Sequence, residues 1–170
     1  MIDTKNINEA RKLIEKASKE NKQVIIQGKS IDFNRVILET LKSLRKRDFN
    51  GTQKSNESEK ISDDKKVSML VLSHTNKKDK LKQRDSGLNH VLCKIAKENN
   101  IILAIDMNEL TKTQDKKEKA KILSRIIQNI KLIKKAKNKF KLLNYKNKQQ
   151  AFSFLLTLGA STDMAKEAVS

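Results

Sequence analysis

Arg84-Asp85-Ser86-Gly87-Leu88-Asn89-His90-Val91-Leu92 is the stretch on which the reading of this chain turns. It leaves a lysine-rich loop, crosses a cap signal and enters an amphipathic helix that feeds a strand. Asp85 and Ser86 are expected to cap that helix, because their side-chain oxygens can accept from the free N–H groups of the first turn. Leu88, Val91, Leu92, Ile95 and Ala96 recur at helical spacing and predict one buried face. At about 100° per residue, His90, Lys94 and Lys97 fall on the opposite side. The histidine is therefore set outward beside two cations, where a core role does not fit.

Working outward, apolar spacing predicts a first helix over about 6–20, with Ile7, Ala10, Leu13, Ile14 and Ala17 on its face. A short β-branched strand over 23–27 ends at Gly28, and Ser30 or Asp32 caps a helix carrying Val36, Ile37, Leu41 and Leu44. The polar stretch 48–66 reads as a flexible insertion within a single domain spanning 1–170. A continuous apolar strand is expected over 67–72, as where both sheet faces are covered. Further strands are expected over 101–105 and 140–143, with a long helix over about 116–137 between them. That helix is expected to bury Ala120, Leu123, Ile126, Ile127, Ile130 and Ile133. Two short helices, 149–158 and 162–169, divide at Gly159. Alternating strands and helices predict an α/β fold with a parallel sheet covered by helices; repetition alone does not separate an open sheet from a barrel.

With 170 residues the chain can bury a core, but 36% hydrophobic against 34% charged residues keeps that core modest. The formal charge of +18 is the strongest bulk signal and points to a polyanionic partner. Coding bias toward A+T accounts for 32 Lys against 6 Arg, but not for only 20 acidic residues beside them. No apolar run approaches the roughly 18 residues that span a bilayer, and no signal-peptide pattern opens the sequence. No membrane partner is expected. Cys93, the only cysteine, excludes an internal disulfide and a cysteine-cluster zinc site. Its apolar neighbours predict an inert, packed thiol, which suits a reducing, cytoplasmic setting.

Protein-based catalysis finds little support. His74 and His90 are the only histidines, and neither stands in a metal-ligand spacing. His74 follows a strand directly, where barrel enzymes place working residues; isolated as it is, it reads first as a loop hydrogen-bonder. Asp106 closes another strand without a second carboxylate beside it. No catalytic residue and no metal site is expected in this chain. Phosphate binding is better founded. Lys77, Lys78, Lys80, Lys82 and Arg84 lead into a helix N-terminus, where free N–H groups favour an anion. From Lys131 to Lys148 there are eight lysines and no acid, and Lys131, Lys134 and Lys135 lie close enough on a helix to form one cationic ridge. With no Trp, one Tyr and five Phe, base reading by aromatic stacking has little to work with, so backbone charge and nucleic-acid shape should dominate.

The run Asp85 to Leu92 resembles the hallmark of the thirty-kilodalton subunit family of ribonuclease P, called protein component 3 in archaea. That hallmark is Asp-Ser-Gly-aliphatic-Asp-His-Val-Leu after a strand ending in Leu-Ser; here Val71-Leu72-Ser73 supplies the strand end and Asn89 stands where Asp is usual. Asn34-Arg35 after an apolar strand and Ile105-Asp106-Met107-Asn108 closing the next are further matches. The resemblance implies a TIM-like α/β barrel, here incomplete because the family's first βα units have no counterpart. It implies a non-catalytic subunit of an endoribonuclease whose RNA removes the 5′ leader from precursor tRNA. Magnesium ions are then expected in the RNA active site and no cofactor on the protein. The implied partners are ribonuclease P RNA, protein component 2 and other holoenzyme proteins, with precursor tRNA contacted indirectly. Implied RNA contacts are the loop ending at Arg84, with His90, Lys94 and Lys97, and more weakly Arg35 and Lys148. The alternatives are a generic basic RNA-binding protein and a self-sufficient barrel phosphoesterase or nuclease.

Overall fold

The computed structural model describes residues 6–19, 24–51, 69–77, 79 and 84–170, with the backbone alone for 18, 19 and 45–51. Four strands, β1 (Ile25–Gln27), β2 (Met69–Leu72), β3 (Ile102–Asp106) and β4 (Phe140–Leu143), pair in parallel in the order of the sequence. Registers Ile26 with Leu70, Leu70 with Leu103 and Leu103 with Phe140 put these four residues in one row. Parallel neighbours require long crossovers. Here α2 (Ile31–Gly51), α3 (His90–Glu98) and α5 (Lys116–Ala136) lie in the three crossovers. Helix α1 (Ile7–Lys19) precedes the sheet and packs on α2, while α6 (Lys148–Thr157) and α7 (Thr162–Ala168) follow it.

Crossovers of uniform hand between successive neighbours place the helices on one face of the sheet. The core follows that geometry. Ile26, Leu70, Leu72, Leu103, Ile105, Phe140 and Leu142 face the helices, against Ile14, Ile37, Leu92, Ile126, Ile130, Leu155 and Ala165. Truncating such a fully buried leucine costs about 2–5 kcal/mol. The other sheet face carries a smaller cluster of Met69, Val71 and Ala104, joined by Ile25, Ile102 and Leu143, all strand residues. Among the described strands the sheet is open, with edges at β1 and β4. The fold is α/β, and barrel closure is not seen.

Several expectations need correction. Asp85 and Ser86 do not cap α3; Asn89 does, its side chain accepting from Leu92 N at 2.9 Å. Asn89 directly precedes the first helical residue, and its backbone is extended, at φ −143° and ψ 175°, as an N-cap requires. With that start, α3 buries Leu92, Cys93 and Ala96, and Val91 turns outward, 44% exposed. Leu13 likewise lies outside the α1 face, which Ala10 and Ile14 hold. On α5 the stripe is Ile122, Arg125, Ile126, Asn129, Ile130 and Ile133; Ala120 is exposed, and Leu123 and Ile127 are half-buried. A short helix α4 (Met107–Lys112), capped by Asp106, was not expected. Helix α2 runs through Gly51, so the segment expected to be an insertion begins as helix; its remainder, from 52, lies outside the described residues.

Candidate nucleic-acid interface

The C-terminal ends of β1, β2 and β3 converge on the loop that precedes α3, and three buried polar side chains hold that loop. Asn34, on the first turns of α2, accepts from Lys29 N at 3.0 Å and donates Nδ2 to Gly87 O at 2.7 Å. Gly87 sits at φ +75°, a conformation that favours glycine, and an added Cβ would also displace the Lys77 amine, the tip of a flexible side chain. Asn129, fully buried on α5, donates Nδ2 to Ser86 O at 3.0 Å and lies 3.0 Å from His74 Nε2. Arg125, one turn earlier and 1% exposed, donates to His74 O at 2.7 Å and Lys77 O at 3.1 Å. Its guanidinium also meets Asp79 at 3.0 Å and Glu118 at 3.8 Å.

His74 is a loop hydrogen-bonder at the centre of this node. Its tautomer follows from Asn129. An amide nitrogen carries only donors, and Ser86 O fixes which end of the amide points inward. Nε2 must therefore accept, and the ring proton sits on Nδ1, 3.1 Å from Glu109 Oε2. Burial lowers the His74 pKa, outweighing the hydrogen bond and charge of Glu109, so the ring stays neutral. Burial pushes Glu109 the other way, but donors from His74 outweigh it, including His74 N at 2.7 Å, and the carboxyl lies below its ordinary value. Asp79 is likewise low, against burial, because Asp85 N and Arg125 both donate to it.

The predicted contacts separate into three groups. Lys77 is not an outward cation: its side chain is 6% exposed, and its amine lies 3.9 Å from Asp85, with no hydrogen-bond partner among the described residues. Burial pushes its pKa down to about 8, against the pull of Asp85. Asp85 itself closes a turn by accepting from Gly87 N at 3.0 Å. Lys78, Lys80 and Lys82 lie outside the described residues. Arg35, Arg84, His90, Lys94, Lys97, Lys131, Lys134, Lys135 and Lys148 are all exposed. His90 opens α3 and Lys94 and Lys97 follow on its outer side, Lys94 within 3.9 Å of Glu98. Lys134 reaches Gly159 O at 3.0 Å, which ties α5 to the turn after α6. Cys93 is buried, and its thiol is pushed up to about 11, the inert state expected of it.

Sequence reasoning missed Glu109, Arg125 and Asn129. A signal existed for the last two: Ile122, Arg125, Ile126, Asn129, Ile130 and Ile133 follow the spacing of a buried stripe, so two polar side chains stand where apolar ones belong. Chemically, the node can position a loop and fix a charge pattern. Among the described residues, no three His, Cys, Asp or Glu side chains gather where they could hold a metal ion. Nor, among them, is any helix long and apolar enough to cross a membrane.

The chain matches no protein-family model and no curated protein. Among solved structures it is similar to a chain described as "cryo-EM structure of archaeal Ribonuclease P with mature tRNA", at a TM-score of 0.48 and 18% identity, over 98% of this chain and 74% of that one. At that score and identity the likeness assigns neither a subunit nor a residue role.

Proposed function

We propose that this chain is a non-catalytic protein subunit of a ribonuclease P ribonucleoprotein, binding and bracing the RNA that removes the 5′ leader from precursor tRNA. The observation that carries the reading is a convergence. Asn34 from one family-like segment holds Gly87 O of the hallmark run, and Leu72-Ser73 leads directly into His74 at the node. Asp106 of the third segment caps α4, the helix that supplies Glu109 to His74. Segments that resemble a family at scattered places in the sequence thus share one structural task here: they set the loop before α3. Beyond that loop the chain presents exposed cations, in keeping with its charge of +18.

In this reading the RNA holds the magnesium ions and performs the cleavage, while this chain pairs with protein component 2 in a cytoplasmic holoenzyme. The four strands run in sequence order, as in a barrel, and the open edges at β1 and β4 are where further βα units or a partner would complete one. Reconstitution tests the proposal. Cleavage of precursor tRNA should require the RNA and rise when this chain joins component 2. Cleavage by the purified chain alone would replace this reading with a phosphoesterase. Equal binding of every RNA without stimulation would reduce it to generic RNA binding.

A further inference from the structure

We infer that the seam between α3 and α5 receives the phosphate backbone of a base-paired RNA stem, with Lys97, Lys137 and Lys139 as its contacts. The inference rests on the RNA-binding reading above and says which surface and which form of RNA. Buried Asn138 donates Nδ2 to Cys93 O at 2.9 Å, so the C-terminal end of α5 lies against one edge of α3. Lys97 is one helical turn beyond Cys93 on that same edge. Lys137 and Lys139 flank Asn138, and all three lysines are exposed. The acid of α3, Glu98, lies toward the opposite neighbour, 4.0 Å from Lys42 of α2. From Lys119 through Thr162 the sequence contains no acid at all.

Lys137 carries the second observation. It adopts the left-handed conformation, φ 54° and ψ 49°, at the residue that ends α5. The other described non-glycine residues at positive φ are Asn76, Asn100 and Asn144. Asparagine tolerates that conformation because its short side chain can bond the local backbone. Glycine is the usual occupant at a helix end of this kind, while a lysine there gains only from the nearby carbonyls and the helix dipole. The exposed side chain of Lys137 is therefore set just past the C-terminal end of α5, next to Asn138.

The form of RNA follows from the rings. Unpaired bases are held by stacking on exposed aromatics. Neither α3 nor α5 contains Phe, Tyr or Trp. Among the described side chains, Phe33 and Phe140 are buried, and Phe152, Phe154 and Tyr145 pack against the core, the last bonded to Val169 O at 2.9 Å. The seam offers charge with the single exposed imidazole of His90 and no larger ring, which suits the continuous backbone of a duplex better than a run of unpaired bases.

The test is fluorescence anisotropy with the full chain, an RNA duplex of about 16 base pairs and one of its single strands, across a salt series. The duplex should bind at least about tenfold more tightly. Replacing the three contacts together (Lys97→Gln, Lys137→Gly, Lys139→Gln) should lower the log–log salt slope by about 3. Lys12→Gln with Lys16→Gln, on exposed positions of α1, should leave it unchanged. Lys137→Gly alone should hold or raise Tm while weakening duplex binding, an outcome a merely structural lysine would not give. If the chain binds neither RNA, the RNA-binding reading falls and takes this one with it. If it binds duplex but the seam variant keeps its slope, or if the single strand binds as well, only this inference is overturned.

Discussion

The loop node around His74 and the outer side of α3 lie next to each other, and they use charge in opposite ways. At the node, Arg125 is 1% exposed and engaged with two carbonyls and two carboxylates, and Lys77 is folded beneath Asp85. On α3, Lys94 and Lys97 stand in solvent. The same formal charge fixes the shape of a loop in one place and stands open to solvent in the other. Counting cations along the sequence cannot separate these uses, because burial decides which charges a polyanion can reach.

The comparison can be broken most directly at Arg125. Arg125→Met should cost about 3 kcal/mol, because it strands two carbonyls and leaves Asp79 and Glu118 without their cation. Urea denaturation measures this, and a loss below about 1 kcal/mol would mean the node does not support the fold. Asn129→Leu should cost about 2 kcal/mol through Ser86 O and His74 Nε2, with amide exchange at 86–89 rising more than elsewhere. Uniform exchange would argue against a local role for it.

The neutral His74 ring sharpens the contrast through pH. Its folded pKa lies below the ordinary 6.5, so the unfolded chain binds the proton first. The stability it contributes is whole above about 6.5 and is lost as pH falls through that value, levelling off below the folded pKa, at up to about 1.4 kcal/mol per pH unit. The groups facing the ring are Glu109, Lys77, Arg125 and Asn129. The window belongs to His74 if His74→Gln flattens the slope between pH 6.5 and 5.5; an unchanged slope would assign it elsewhere. The smallest effect belongs to the outer side. Lys94→Ala removes an exposed pair with Glu98 and should shift stability by less than about 0.5 kcal/mol. A larger loss would show that α3 depends on its surface charges after all.

Much of the fold could be read from apolar spacing. The expected strand over 140–143 coincides with β4, and α1, α5, α6 and α7 begin and end within a residue or two of expectation. Local pattern suffices for α1 and α5 because each has one distinctly apolar face, and for α6 and α7 because Gly159 divides them. The α3 cap was misplaced because Asp85, Ser86 and Asn89 are all competent caps, and competence does not choose among them. What chose was the backbone: Gly87 must turn at positive φ, which Asp85 and Ser86 serve by closing the loop, so Asn89 is the residue left at the helix start. The lysine list for the interface failed at Lys77 for a related reason, since a four-carbon side chain can reach inward as easily as out.

The sequence by itself determined the α/β alternation, the parallel sheet, the basic character and the outward placing of His90, Lys94 and Lys97. These follow from periodicity and net charge, which are properties of neighbouring residues. Only the tertiary structure decided that Arg125 and Asn129 face inward, that Asn34 reaches Gly87, and that Asn138 ties the end of α5 to α3 at Cys93. Those are contacts between residues far apart in the chain, and their partners are chosen by packing and by the need to satisfy buried donors and acceptors, which no local pattern encodes.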